Sequence, residues 1–262
     1  MSVFVTGSSR SQHNWSVQPN PASPDTLHLV TLNIQHGGGP RMGKIIDLVL
    51  GWDADVLVLT EFRLGKAAGL LQRLGAARYA VSHPPSVDPT RNSVLIASRH
   101  GFTDERRFAE GLDPRHLWCA VTAGISLCAA YLPVPTELRT PYLEALAATG
   151  RNQGLELIMG DFNTGKNGPD TTVTRGAFPC GHLLDRLAKA GYTDLWRDQH
   201  PESREYSYYS WKNYEPYNGF RIDYAFATDA LKRRVVECSF EHPLRYPERI
   251  TDHSALHVRI QS

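Results

Sequence analysis

The run Leu157-Ile158-Met159-Gly160-Asp161-Phe162-Asn163 decides how this chain is read. An apolar segment that stops at a glycine reads as a buried strand, and polar residues just past its end are held by a rigid element while open to a cleft. On an extended backbone Asp161 and Asn163 leave on one face and Phe162 on the other, so the two polar side chains can share one ligand. The same residues also admit a plainer reading, a turn ahead of Thr164-Gly165-Lys166-Asn167-Gly168-Pro169. The other strand ends in the chain decide between the two.

Upstream, Leu27 to Ile34 reads as a strand that ends in Gln35-His36-Gly37-Gly38-Gly39-Pro40, with Asn33 the last polar residue before that corner. The three glycines lack the Lys-Ser/Thr of a P-loop and do not fit GxGxxG, so they make a loop. Met42 to Trp52 has helical spacing, and Asp55 to Phe62 follows as a near-continuous apolar strand interrupted by Glu61. A carboxylate there is either a metal ligand or half of an ion pair with a nearby arginine such as Arg63. Lys66 to Leu74 reads as a helix, Tyr79 to Ser82 and Ser93 to Ser98 as strands, and Leu117 to Leu132 as a hairpin broken at Gly124 with Tyr131 at its end. Thr136 to Thr149 supplies a helix before the opening run.

Downstream, Leu183 to Ala190 is expected to be helical and Gly191 to Arg197 extended. A dense aromatic stretch, Tyr206 to Trp211, reads either as strand-like core packing or as a stacking platform for bases. Asp223 is an acid inside an apolar strand and calls for a partner, for which His253 in Thr251-Asp252-His253 is the natural candidate. His36, His83, His116 and His182 have no spacing that singles them out and read as solvated or locally satisfied.

The 262 residues suit one large domain or two small ones, with 28 basic against 27 acidic residues, a balance that argues neither for nor against a nucleic-acid partner. Four cysteines without a CxxC pair make a structural zinc site unexpected and fit a reducing compartment. With no secretory signal and no apolar span, the cytoplasm is the expected location. Residues 1–26 are rich in Ser, Asn, Gln and Pro and are expected to form a flexible leader before a domain over 27–262. Together Asn33, Glu61, Asp161, Asn163, Asp223, Asp252 and His253 make an oxygen-rich set with one imidazole, suited to Mg²⁺, or Mn²⁺ as its substitute, and to phosphoester hydrolysis.

Asn33 in Leu-Asn-Ile, Glu61 in Leu-Thr-Glu-Phe, Tyr131-x-Pro133, Gly160-Asp161-Phe162-Asn163, Arg221-Ile222-Asp223-Tyr224 and Thr251-Asp252-His253-Ser254 stand in one order along the chain. From about Leu27 to Ile260 the chain thereby resembles the endonuclease/exonuclease/phosphatase superfamily, and most of all its exonuclease III and abasic-site endonuclease branch. The resemblance implies a four-layer α/β sandwich, two mixed β-sheets packed face to face with helices outside, and a site at one rim. It implies Glu61 as the main metal ligand with Asn33 and Asp252 assisting, and Asp161 orienting or deprotonating the attacking water. Asn163 would hold a phosphate oxygen, His253 paired to Asp223 would donate to the phosphate, and Tyr131 would lie near the leaving oxygen. Tyr208, Trp211, Phe220, Arg221 and Ile222 would bind substrate, with Tyr208, Phe220 and Ile222 lining a sugar pocket. The branch's Tyr-x-Pro-Asn is here Tyr131-Leu132-Pro133-Val134, so one amide donor near the substrate is missing. The expected activity is metal-dependent cleavage of DNA by a monomer. The alternatives are a phosphatase or phosphodiesterase acting on a small or lipid-derived phosphoester, and a binding module on an inactive scaffold.

Overall fold

The computed structural model describes residues 26–262 except Ser86, Asn213 and Tyr214, together with all side chains in that range except those of Trp211 and Glu215. The leader expected over residues 1–26 therefore lies outside the described residues but for Thr26, which already belongs to the first strand. In chain order the elements begin with β1 (Thr26–Asn33), α1 (Met42–Gly51), β2 (Val56–Phe62), α2 (Ala68–Ala76), β3 (Ala80–Ser82), β4 (Ser93–Ser98) and β5 (Asp104–Arg107). They continue with β6 (Leu117–Thr122), β7 (Ile125–Tyr131), α3 (Thr136–Thr149), β8 (Leu157–Asp161), α4 (His182–Lys189), β9 (Tyr192–Asp194) and α5 (Leu195–Gln199). The chain ends in β10 (Tyr208–Lys212), β11 (Glu215–Phe220), β12 (Asp223–Thr228), α6 (Asp229–Lys232), β13 (Val235–Glu241) and β14 (Ala255–Gln261).

Period-two burial sorts these strands into layers. Leu29, Val56 and Val58 meet Leu127, Leu157 and Met159 in a core between the two sheets. Their neighbours Val30, Leu32, Leu57 and Leu59 point the other way, onto Ile45, Ile46 and Val49 of α1 and Leu70 and Leu74 of α2. On the far side, Ile158 and Phe162 pack with Leu143 and Leu146 of α3 and Leu183, Leu184 and Leu187 of α4. The result is helix, sheet, sheet, helix: the expected α/β sandwich, with six strands in each sheet and a separate two-stranded hairpin β10-β11.

The strand orders are β13-β14-β1-β2-β4-β3 and β5-β6-β7-β8-β12-β9. Each sheet contains one parallel pair, β1 with β2 and β7 with β8, bridged by α1 and α3 respectively. Parallel neighbours end at the same rim, so Asn33, Glu61, Tyr131 and Asp161 are delivered to one edge of the sandwich. At Gly160 the backbone has φ +141°, and a Cβ would stand 2.0 Å from the Ala130 carbonyl oxygen, so only glycine lets β8 lie that close to β7.

One expectation fails locally. The segment 191–197 is extended only through β9, because the Asp194 side chain accepts from the Arg197 backbone N–H at 3.1 Å and caps α5. All four cysteines are free and buried, with Cys119 and Cys128 opposite each other in register. Among the described residues no helix is long and apolar enough to cross a membrane.

Two buried polar clusters hold the frame. His28 Nε2 and His257 Nδ1 share a hydrogen bond of 3.0 Å, and Glu241 Oε2 receives both His257 Nε2 at 3.0 Å and Trp52 Nε1 at 2.8 Å. Burial, with His257 and Arg259 adding, drops the His28 pKa from 6.5 to about 3. Beneath the start of β12, Arg221 donates to Asp170 at 2.8 Å and to Asp194 at 2.7 and 3.1 Å, with its guanidinium 4.4 Å from the Tyr224 ring centre.

Between pH 6.5 and about 3 the unfolded chain protonates His28 while the folded one does not, so the unfolded state binds more protons and folding stability falls as pH falls. Urea unfolding over that window will show a shallower loss for His28→Gln than for the wild type; parallel losses would remove His28 as the cause. Arg221→Met strands two carboxylates and is expected to cost about 3–5 kcal/mol in the same assay, as for other broken buried pairs.

Candidate active site

The rim is closed by a single amide. Asn33 Nδ2 donates to Asp161 Oδ2 at 2.9 Å and to Glu61 Oε1 at 3.3 Å, joining the two sheets. Its Oδ1 accepts from the Gln35 backbone N–H at 2.8 Å, which fixes the amide's orientation. Asn33, expected to assist the metal, thus turns the hydrogens of its amide toward the two carboxylates and bridges them. Thr251 Oγ1 donates to the Asn33 carbonyl at 2.6 Å and brings the 251–254 segment onto the same edge.

In the second sheet Tyr131, Asp161 and Asp223 stand side by side in register across β7, β8 and β12. Asp161 accepts from the Asn163 backbone N–H at 2.8 Å and from Asn163 Nδ2 at 3.3 Å. The chain turns left-handed at Asn163, φ +50°, which ends the extended run; Phe162 goes to the opposite face as its alternation predicts. The Asn163 amide also donates to the Leu132 carbonyl at 2.8 Å, so its NH₂ braces Asp161 against the β7 end. Arg139, fully buried, donates to the carbonyls of Pro133 and Val134 at 3.1 and 2.8 Å and also to that of Asn163, fixing the same corner.

His253 Nδ1 lies 2.8 Å from Asp223 Oδ2, the partnership read from the sequence. Burial opposes charge on this ring, but Asp223, Asp161 and Asp252 outweigh it and raise its pKa from 6.5 to about 10. Burial, then the charge of Asp223, push Asp161 up to about 7. The acids around His253 thus favour its charged ring, while burial and Asp223 push Asp161 toward its protonated form, opposite shifts on neighbouring groups. Ligand atoms of Asp161, Asp223 and His253 all lie within 4.8 Å of one another, the one such group of three among the described residues and a set able to hold a cation. With His253 Nδ1 committed to Asp223, the group also has the form of an acid–base dyad facing a carboxylate.

Glu61 sits on a β-bulge between Thr60 and Phe62 with φ +56°, which swings its side chain out of the strand's alternation. It does not pair with Arg63, the alternative partner. The His36 backbone N–H donates to Glu61 Oε2 at 2.6 Å and His36 Nδ1 lies 2.9 Å from the same oxygen, so His36 is not the bystander its spacing indicated. Arg63 instead donates to Asn92 Oδ1 at 2.6 Å, while Asn92 Nδ2 reaches the Tyr131 hydroxyl at 3.1 Å. Burial and the Glu61 charge hold the Tyr131 phenol protonated well above the usual range. Asp252 Oδ2 accepts from Gln35 Nε2 at 2.8 Å.

The Tyr208 ring lies tilted against His253 at 5.1 Å and against Phe220 at 6.2 Å between centroids, with Ile222 buried close by in sequence, so the aromatic run reaches the site through the hairpin. The Trp211 side chain lies outside the described ones. Arg221, expected to bind substrate, is 1 % exposed and spends its donors on Asp170 and Asp194; burial and two carboxylates take it out of reach. Sequence reading also passed over Ser207, whose Oγ accepts from the Ile222 and Asp223 backbone N–H groups at 3.1 and 3.2 Å, and Asn92. Neither carries a motif; both act through backbone or single side-chain contacts that only the fold creates.

Residues 30–253 match the model of the endonuclease/exonuclease/phosphatase family. Curated protein sequences contain no match. Among solved structures, an AP endonuclease from Archaeoglobus fulgidus superposes with a TM-score of 0.77 at 22 % identity, covering 88 % of this chain and 98 % of that one. The 3′ phosphatase NExo from Neisseria, bound to product DNA hairpin, gives 0.78 at 20 % identity over 90 % and 100 % of the two chains. The AP endonuclease LMAP from Leishmania major gives 0.68 at 16 % identity over 91 % and 88 %. At these identities the structural likeness is one of fold; the family match covers most of the chain, which belongs to the endonuclease/exonuclease/phosphatase family.

Proposed function

We propose that this protein is a divalent-metal-dependent hydrolase of phosphodiester bonds in DNA. The observation that carries this reading is the junction at Asn33, which puts Asp161, the Asp223–His253 dyad and Glu61 around one small space. The donors there, carboxylates with an imidazole beside them, fit a divalent cation, with Glu61 and Asp252 as the residues to hold it. When bound, that ion neutralises phosphate charge and lowers the pKa of a coordinated water.

Asp161, oriented by Asn33 and Asn163, takes the proton of the attacking water as the new P–O bond forms and the ester P–O bond breaks. His253, held in its charged form by Asp223, donates to a phosphate oxygen and stabilises the negative charge that builds there. Asn163 contributes through its hold on Asp161 and, once its amide is drawn to substrate, through a non-bridging oxygen. Tyr131, protonated and fixed by Asn92, stands by the leaving oxygen. Tyr208 and Phe220 offer a half-buried aromatic wall for a sugar or base, with Ile222 behind it, and Trp211 continues the same strand. DNA as substrate is supported by the AP endonucleases and the DNA-bound 3′ phosphatase that share the fold.

A second reading rests on Val134, 65 % exposed at the lip: an apolar side chain there suits a small or lipid-derived phosphoester. Matched duplexes with and without an abasic site, a 3′-phosphorylated strand, single-stranded DNA and a generic phosphodiester, each with Mg²⁺, separate the two. DNA cleavage is expected to be abolished by chelator and to weaken steeply from 50 to 200 mM salt, as phosphate-tracking enzymes do. Hydrolysis of the generic ester alone would remove the nuclease reading. Asp161→Asn and His253→Gln should each lower kcat on the preferred substrate by about 10²-fold or more in protein whose circular dichroism matches the wild type; unchanged turnover would remove both side chains from the chemistry.

A further inference from the structure

Resting on the reading above, we propose that the cleft lined by Arg91, Arg107 and Arg115 is a phosphate subsite, which takes the internucleotide phosphate next to the scissile one on the side of the departing oxygen. The cleft has a volume of about 440 Å³, within the range of ligand pockets, and Pro85 and Pro114 stiffen its walls. Its cations come from three separate segments: Arg91 from the loop between β3 and β4, Arg107 from the end of β5, and Arg115 from the loop before β6.

A single residue, Asn92, stands between this cleft and the candidate active site. Its carbonyl accepts from Arg115 Nη1 at 3.1 Å, while its Nδ2 donates to the Tyr131 hydroxyl at 3.1 Å. Its Oδ1 accepts from Arg63 Nε at 2.6 Å, which fixes the amide's orientation. A strand whose ester lies beside Tyr131 therefore carries its next phosphate toward the arginines.

The lining leaves donors for that phosphate. Arg115 spends Nε and Nη2 on Asp113 Oδ2 and Nη1 on the Asn92 carbonyl, three of the five N–H groups of a guanidinium. Arg107 gives Nη1 to Glu110, a surface carboxylate, at 2.8 Å. Among the described residues the one ion pair of Arg91 is with Asp88, 3.9 Å from its Nε. The acids of the cleft are turned to other partners. Asp113 has both oxygens on Arg115, one of them at its backbone N–H at 3.0 Å. Asp88 Oδ1 accepts from the Thr90 N–H and hydroxyl at 2.9 and 2.6 Å. Three arginines against two aspartates leave one positive charge in excess, and planar guanidinium groups recognise phosphate through paired N–H groups. The consequence is a demand on the substrate: the departing fragment must bring a phosphate of its own. A strand of DNA does so and a simple phosphoester does not.

The test moves one neutral methylphosphonate along the scissile strand of a cleaved duplex, at every position but the scissile one, with the whole chain and Mg²⁺. Wild type is compared with Arg91→Met/Arg107→Met, whose two side chains lie half-exposed or more, so circular dichroism should be unchanged. In the wild type, the neutral linkage next to the cut on the departing side should raise KM about tenfold with kcat little changed. The double variant should show about that KM on the natural strand and no further rise on the neutral one. Its plot of log(kcat/KM) against log salt should flatten by about two. A folded double variant with the wild-type KM and salt slope, or with the wild-type response to the neutral linkage, overturns the proposal, and if DNA is still cut the function proposed above stands. A wild type that cuts no nucleic acid removes both.

Discussion

The amide of Asn33 is the contact on which the rim of this protein depends. It is held at one end by a backbone hydrogen bond from its own loop, and its two N–H groups reach carboxylates belonging to different sheets. A buried carboxylate is tolerated only where donors meet it. Asn33 supplies donors to two of them at once, so the stacking of the sheets and the presence of the acids at their seam are one arrangement. Everything else at the site leans on it: Thr251 ties the segment carrying His253 to the Asn33 carbonyl, and Gln35 carries the connection on to Asp252.

Four of the eight non-glycine residues at positive φ among the described ones surround this contact. Glu61 on its bulge, Asn163 beyond β8, and Gln35 and His36 in the loop after β1 are all non-glycine residues at positive φ. Each such residue costs on the order of 1–3 kcal/mol and persists only where its surroundings over-determine it. The three apolar layers supply the regular stability that lets the rim stay irregular. At Glu61 the bulge turns a carboxylate toward the rim, where the Asn33 amide and the His36 N–H meet it.

Much of this was legible beforehand, for identifiable reasons. The apolar strands, the hairpin at Gly124 and the helix from Thr136 follow from periodicity, and the Asp223–His253 pair follows from the need of a buried acid for a partner. Asp161 and Asn163 meet through a turn, the Asn163 N–H donating to Asp161 Oδ1 where the chain goes left-handed, and not through the alternation of an extended run. What escaped depended on contacts between distant segments. Arg221 looked like a substrate ligand because it adjoins Ile222 and Asp223, yet Asp170 and Asp194, invisible as partners in one dimension, draw it inward. Asp194 also capped a short helix where an extended segment was expected. His36 was overlooked because nothing in its spacing announces that a glycine-rich turn would wind left-handed and bring it to Glu61.

The parallel pair in each sheet has a consequence for how the molecule comes into being. Asn33 meets Asp161 across 128 positions of chain, Gln35 meets Asp252 across 217 and Thr251 meets Asn33 across 218. Contacts of such span form only after the loops between them have closed, the slow part of folding for topologies of this kind. A nascent polypeptide still lacking its 251–254 segment therefore has no assembled rim, and the contacts that join the two sheets there form last.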